Sequence, residues 1–408
     1  MAPDRLEVAD VLRGYLDAYE ARYGLLSPRN QRVVHDLLVC RTAELGGQLY
    51  VCDQCGVVTE RYHSCRNRHC PKCQNLERER WLEKRREELL PVPYFHLVFT
   101  LPHQLNPLFL TQPREMYHLL FRTAAESLLT LARDPRRLGA RIGFLAVLHT
   151  WSQLLELHPH LHVIVPGGGL SLDGERWIAS RPDFFLRVEP LAALFRGKLL
   201  DAVGRAARQQ RPIFPRRLDP RTAPQAYRDW LDGLYRRTWN VYSKPPFEGA
   251  EKGLEYLGRY THRVAISNHR LIRLEDDRVF FRYRDSRDDN RIKVTSLEAV
   301  EFIRRFLMHV LPPGFQRIRS YGLLANRYRS ENLERCRRLL GVTPGADATE
   351  AGASQESTGD DESLEEEILR LTGLDPLQCP VCGKGRLLLL ETVPGKKEAP
   401  ALAARAPP

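Results

Sequence analysis

No stretch of the 408-residue chain approaches the roughly 18 apolar residues of a membrane span, and Met1-Ala2-Pro3-Asp4-Arg5 has none of a signal peptide's apolar core. The expectation is a cytoplasmic protein with no membrane partner. No Gly-x4-Gly-Lys-[Ser/Thr] loop occurs, which excludes a fused P-loop motor. Acidic residues are in short supply, 51 against 62 Lys and Arg, for a formal charge of +11. The imbalance is uneven. Residues 345–369 hold nine acids and no base and residues 370–408 sum to +3, so residues 1–344 carry +17. A basic body with an acidic segment near its end points to a polyanionic partner, most simply a nucleic acid.

With 43% apolar residues, a chain of this length buries a sizeable core and divides into more than one domain. Nine cysteines, an odd number with six in C-x-x-C pairs, suit zinc in a reducing compartment better than a disulfide framework. Cys52-Asp53-Gln54-Cys55-Gly56 and Cys70-Pro71-Lys72-Cys73 stand fourteen residues apart, close to the ribbon pattern of structural zinc. The expected shell is Cys52, Cys55, Cys70 and Cys73. His63, Cys65 and His69 crowd the second pair, so a shell of Cys52, Cys55, Cys65 and His69 stays open. Arg61, Arg66, Arg68 and Lys72 interleave with these ligands and are candidate phosphate contacts. Cys379-Pro380-Val381-Cys382 is half a site without an evident second pair: it borrows ligands elsewhere, binds across a dimer or is degenerate.

Two further stretches carry chemistry. His158-Pro159-His160-Leu161-His162-Val163-Ile164-Val165-Pro166 reads as a strand, and period two sends His160 and His162 to one face while Leu161 and Val163 enter the core. Two neutral imidazoles converging there can hold a divalent metal. A third ligand is open among Glu156, His149, His158 and His262; Glu156 and His262 are the two singled out, His262 because it follows the second stretch directly. That stretch, Glu251 to Arg263, reads as a helix with Tyr256 and Tyr260 on one face. Its neighbours Arg259, Thr261, His262 and Arg263 are polar, and Gly258 lowers helix stability without a packing reason visible in the sequence. A phenol is a poor nucleophile until a nearby cation helps. A metal on the histidine strand beside these tyrosines would allow a tyrosine to be joined to a DNA 5′ phosphate with the bond energy conserved. The second tyrosine could take a second strand end.

His-hydrophobic-His resembles the HUH single-strand endonucleases, and Tyr-x3-Tyr their two-tyrosine branch. With HPHLHVIVPGGG, YLGRYTHRVAISN and the cysteine cluster together, the chain from about Leu25 to about Arg329 resembles the rolling-circle transposases of the insertion-sequence-91 family. The resemblance implies an α+β HUH-type nuclease core, a central antiparallel sheet flanked by helices, with the metal strand in its centre and the tyrosine helix laid against it. It implies Tyr256 and Tyr260 as nucleophiles, Mg²⁺ or Mn²⁺ on His160 and His162, structural Zn²⁺, and single-stranded DNA at transposon ends and target as partner. A nucleoid-associated location follows, and oligomers are compatible with it. Arg66, Arg68, Lys72, Arg259, Arg263 and Lys244 are the candidate DNA contacts. A plasmid or phage replication initiator or relaxase shares the chemistry, and a non-catalytic regulator acting through its zinc module is the alternative of another class.

The expected divisions are a helical and zinc-binding module over 1–90, the nuclease domain over 91–335, a disordered acidic linker over 344–367, a small C-x-x-C segment over 368–393 and a disordered tail over 394–408. Helical periodicity covers residues 6–23, and Ser27-Pro28 caps a second helix. Residues 75–90 form a charged helix, 94–102 and 144–150 strands, the latter in a hairpin with the histidine strand, and 115–133 a helix.

Overall fold

The computed structural model describes residues 5–209, 214–247, 249–262, 264–342 and 362–396; within the helix that carries them, the side chains of Leu257, Arg259 and Tyr260 lie outside the description. In chain order the first elements are α1 (Val8–Tyr23), α2 (Pro28–Val39), β1 (Gly47–Cys52), β2 (Val58–Tyr62), α3 (Gln74–Arg86) and β3 (Tyr94–Thr100). There follow α4 (Asn106–Thr111), α5 (Pro113–Arg133), β4 (Ala140–Arg141), β5 (Gly143–Trp151), β6 (Leu157–Pro166), β7 (Gly168–Ser171), β8 (Trp177–Ala179), α6 (Val188–Arg208) and α7 (Pro224–Arg236). The last are β9 (Val241–Phe247), α8 (Ala250–Thr261), β10 (Leu271–Glu275), β11 (Arg278–Asp285), β12 (Arg291–Glu298), α9 (Ala299–Met308), β13 (Ile318–Gly322), α10 (Arg329–Leu339), α11 (Leu364–Thr372) and β14 (Leu387–Val393).

The fold is α+β, and its principal sheet is antiparallel with the order β13-β5-β6-β3-β9, so the histidine strand β6 is central. Alternation divides this sheet into two unlike faces. Phe95, Leu97, Phe99, Phe144, Ala146, Leu148, Leu161, Val163 and Val165 enter one large core with Leu120, Phe121 and Leu128 of α5 and Phe195 and Leu199 of α6. The opposite face carries the intervening residues, among them His96, His149, His160 and His162, and α8 lies across β3, β6 and β9 on that side. Pro245 and Pro246 sit in β9, an edge strand, where a missing N–H is tolerated.

A second core joins the two ends of what the sequence divides at residue 90. Val8, Val11, Leu12, Val34 and Leu37 of α1 and α2 pack with Phe281 of β11 and Phe302, Ile303 and Phe306 of α9. The N-terminal helices therefore brace the β10–β12 sheet together with Cys40, Cys70 and Cys73, which belong to the same core. Ser27 caps α2 by accepting from the Asn30 amide, as its sequence suggests. The β1–β2 hairpin is extended by β14 into a sheet of order β14-β1-β2.

The stretch 344–367, expected as a disordered linker, lies for the most part among residues 343–361, outside the described residues. Its end is ordered: Ser363 and Glu366 form a reciprocal capping box and start α11 inside it. Of the expected tail over 394–408, residues 397–408 are outside the described residues.

Candidate active site and metal centres

His149, His160 and His162 each offer a ring nitrogen within 4.8 Å of the others. The strand pairing brings this about. His149 of β5 is the cross-strand partner of His160, and His162 lies two residues along on the same face. His149 and His162 are buried, and His160 is half-buried. His149 thus completes the group, whereas the two residues singled out for that role do not. Glu156 is exposed in the β5–β6 turn, where its carboxylate accepts from the Ser152 hydroxyl at 3.4 Å. His262 ends α8 against Trp81, with ring centroids 6.1 Å apart, and burial and the nearby Arg317 and Arg78 charges pull its pKa down to about 4. Nothing in local sequence marks His149 over them; only strand register does.

The tautomers favour ligation. His160 Nδ1 lies 2.6 Å from the His158 carbonyl, which can only accept, so Nδ1 carries the proton and Nε2 of a neutral ring keeps its lone pair. His162 Nδ1 lies 2.8 Å from His96 Nε2. His96 is 1% exposed, and burial, then the Lys244 and His160 charges, hold its pKa down to about 3. A neutral His96 can accept from His162 Nδ1–H and leave His162 Nε2 for a metal. His96 reads in the sequence only as part of a buried strand. Its place opposite the site is fixed by the pairing of β3 with β6.

Tyr256 of α8 packs edge-on against His96 with centroids 5.1 Å apart, and its hydroxyl accepts from Lys244 Nζ at 2.9 Å. Lys244 is the β9 partner of His96, so nucleophile candidate, cation and imidazoles share one sheet face. Tyr260 lies in α8, its side chain outside the described residues. Gly258 has a packing reason after all: a Cβ there would meet Leu82 Cδ2 of α3 at 2.7 Å.

Eight of the nine cysteines gather in two groups, not in the single shell of Cys52, Cys55, Cys70 and Cys73, and Cys336 lies apart in a small apolar cluster. Cys40, Cys65, Cys70 and Cys73 form one, Cys52, Cys55, Cys379 and Cys382 the other. In the first, Sγ–Sγ distances are 3.4 Å for Cys40–Cys73, 3.5 Å for Cys70–Cys40 and 3.7 Å for Cys65–Cys73. Thiolates at about 2.3 Å around a tetrahedral zinc stand about 3.8 Å apart, and a disulfide would need about 2.0 Å. The four side chains therefore fit a structural zinc ion. Cys65 belongs to this shell, but His69 does not: its Nε2 accepts from the Leu311 amide at 3.4 Å, and burial with the Arg68 charge holds its pKa down to about 3. Cys40, at the end of an amphipathic helix and outside any C-x-x-C pair, gives no sequence signal of ligation.

The family model described as "Transposase zinc-binding domain" matches residues 11–101, and the one described as "Putative transposase" matches residues 143–332. "Putative transposase y4qJ" of Sinorhizobium fredii (strain NBRC 101917 / NGR234) is 48% identical over 395 residues, covering 97% of this chain and 97% of the relative. The chain belongs to the insertion-sequence-91 family of transposases. "Transposase for insertion sequence element IS801" of Pseudomonas savastanoi pv. phaseolicola is 28% identical over 367 residues, 86% of this chain and 81% of the relative. No solved structure matches the chain. No helix among the described residues is long and apolar enough to cross a membrane.

A transposase binds DNA, and a cleft of about 1190 Å³ between α3 and β13 is lined largely by arginine. Arg66, Arg68, Arg85, Arg317, Arg319 and Arg329 line it with Trp81 and His262, against the single acid Glu77. Leu145 of β5 is in its wall, which puts the cleft on the histidine face of the sheet. Arg68 donates to the Phe315 and Pro312 carbonyls and Arg317 to Gln74 Oε1, which anchors the zinc segment to the loop before β13. Burial, then the Arg68 charge, pulls Arg317 down to about 10, so it stays cationic at neutral pH. Lys72 pairs with Glu7 at 2.7 Å. The Arg259 side chain and all of Arg263 lie outside the described residues.

Replacing Cys40→Ser in the full chain is expected to remove the zinc of the first group, while His69→Ala leaves it bound. Zinc content by plasma mass spectrometry checks both.

Proposed function

We propose that this transposase cleaves and rejoins single-stranded DNA through 5′-phosphotyrosine intermediates on an HUH-type core, in a divalent-metal-dependent, rolling-circle reaction. The observation that carries it is the set of three imidazole nitrogens within 4.8 Å on the central strands, with Tyr256 in contact with His96 on the same face. His149, His160 and His162 would hold the cation. Three imidazoles move the preference further from Mg²⁺ toward Mn²⁺. Such a cation supplies Lewis-acid polarisation of the scissile phosphate and stabilises charge on the departing 3′ oxygen.

The chain's own residues do the rest. Lys244, donating to the Tyr256 hydroxyl, holds that oxygen in place on the imidazole face. The Tyr256 oxygen attacks phosphorus as the P–O3′ bond breaks, and the 3′ oxygen leaves to become a hydroxyl. A tyrosine ester of the 5′ phosphate remains, so rejoining by a 3′ hydroxyl needs no ATP. Tyr260, one turn along α8, would accept a second strand end. The arginine cleft, with Trp81 to stack an unpaired base, supports a single strand entering on the same side.

The test is a labelled single-stranded oligonucleotide library with Mn²⁺, scored for a covalent adduct on a denaturing gel. Wild type is expected to give an adduct, Tyr256→Phe and Tyr260→Phe each to retain one, and the double variant none. An adduct surviving in the double variant, or in a folded His160→Ala variant, would sink this chemistry; DNA binding without any adduct would favour a regulator.

Two further outcomes follow. His96→Ala is expected to weaken Mn²⁺ binding about 10–100-fold, as loss of a group orienting a ligand does, measured by calorimetry on the full chain. Arg66→Ala and Arg319→Ala are expected to lower the slope of log affinity against log salt by about 0.7 each on single-stranded DNA, measured by fluorescence anisotropy.

A further inference from the structure

The second cysteine group joins residues more than three hundred positions apart, and the zinc-binding family model stops at residue 101, far short of two of its members. Its geometry is that of two facing knuckles. Cys52 Sγ lies 3.7 Å from Cys382 Sγ, and Cys55 Sγ lies 3.8 Å from Cys379 Sγ, close to a tetrahedral edge of about 3.8 Å and far from a disulfide. The two turns repeat each other: Gly56 N–H donates to the Cys52 carbonyl at 3.0 Å and Gly383 N–H to the Cys379 carbonyl at 2.9 Å. Backbone amides point at the sulfurs, Gln54 N to Cys52 Sγ at 3.4 Å and Gly385 N to Cys382 Sγ at 3.3 Å, as thiolates require. Gly385 passes so close that a Cβ there would stand 2.4 Å from Cys52 Sγ.

We propose that Cys52, Cys55, Cys379 and Cys382 form a second zinc site that clasps the C-terminal segment to the N-terminal module and thereby buttresses the tyrosine helix from behind. The apolar contacts at the clasp are too few to hold it alone: the buried cluster there is Tyr50, Cys52, Cys379 and Leu387. From the clasp, β14 pairs along β1, and α11 lies on α3. Arg80 Nε and Nη2 donate to Glu367 at 2.7 and 2.6 Å, and Arg370 pairs with Glu83. Half-exposed ion pairs contribute little, and a nine-residue helix is marginal by itself, so α11 keeps its place because the clasp delivers it. The far side of α3 sets Leu82 against Gly258 of α8 and Trp81 against His262. The C-terminal segment therefore reaches the tyrosine helix through one intervening helix.

The test does not depend on the cleavage chemistry. Purified full chain, expressed with zinc and kept reduced, is analysed for zinc by plasma mass spectrometry and for amide exchange. Wild type is expected to hold two zinc ions per chain, and Cys379→Ser/Cys382→Ser one. In that variant, protection should fall in α11, β14 and α3 while β3 and β6 stay protected, which shows that the chain is folded. One zinc ion in wild type, or two in the variant, overturns the site; unchanged protection in α11 and α3 with one zinc lost overturns the clasp.

Discussion

Period-two alternation in the central strand β6 is the constraint on which the rest of the molecule depends. Leu161, Val163 and Val165 are fully buried against α5 and α6, and their burial fixes which way the strand faces. A slip of one residue would carry every histidine into that core and every leucine out of it. The apolar side thus enforces the polar side. At about 25 cal/mol per Å² of buried apolar surface, several large side chains hold the register far more firmly than any hydrogen bond among imidazoles could. Once β6 is fixed, β5 brings His149 opposite His160, and β3 brings His96 beside His162. The site results from hydrophobic registration, with chemistry on the face left over.

Helix α3 is the second point of convergence. Its N-cap is Cys73, a member of the first cysteine group, so that group sets where the helix starts. Leu82 faces α8, Arg80 and Glu83 face α11, and Trp81 and Arg85 enter the basic cleft. By composition it is a solvated helix, rich in Arg, Lys and Glu. Its charges are divided between α11 and the cleft, and the apolar Leu82 sets it against the tyrosine helix. That division explains why a helix with so little apolar surface is ordered.

Features written into local spacing could be read from the sequence: the alternation around His160 and His162, the four-residue step from Tyr256 to Tyr260, the Ser27 cap, the C-x-x-C pairs and the basic body. Features that depend on register or on chain closure could not. His149 is one of four candidate ligands until register selects it, and Cys40 and His96 are ordinary members of an apolar helix and strand until packing brings them to a partner. The cysteine pairs were visible but not their partnership, because spacing within each pair says nothing of which pair it faces. The strand β9 was hidden by Pro245-Pro246, which argue against a central strand but not an edge. In β12, Ile292 and Val294 alternate with Lys293 and Thr295, yet it is the apolar pair that is exposed.

The electrostatics of the cleft follow from how its arginines are held. The Arg68 guanidinium is fixed by two backbone carbonyls, and Gln74 accepts from Arg317, so these partners orient the cations without neutralising them. Burial, and after it the Arg68 charge, pulls the Arg317 pKa down. Surface arginines elsewhere, such as Arg205 with Asp201 or Arg304 with Glu301, are paired with carboxylates on their own helices and add little field at a distance. Within the cleft, Arg85 and Arg329 share Glu88, whereas Arg68 is held by backbone carbonyls. The cleft lies where the first cysteine group, α3 and β13 meet, on the same sheet face as the histidines. On the reading proposed above, a polyanion bound in the cleft would lie beside the end of α8, and cations already oriented would cost its binding little reorganisation.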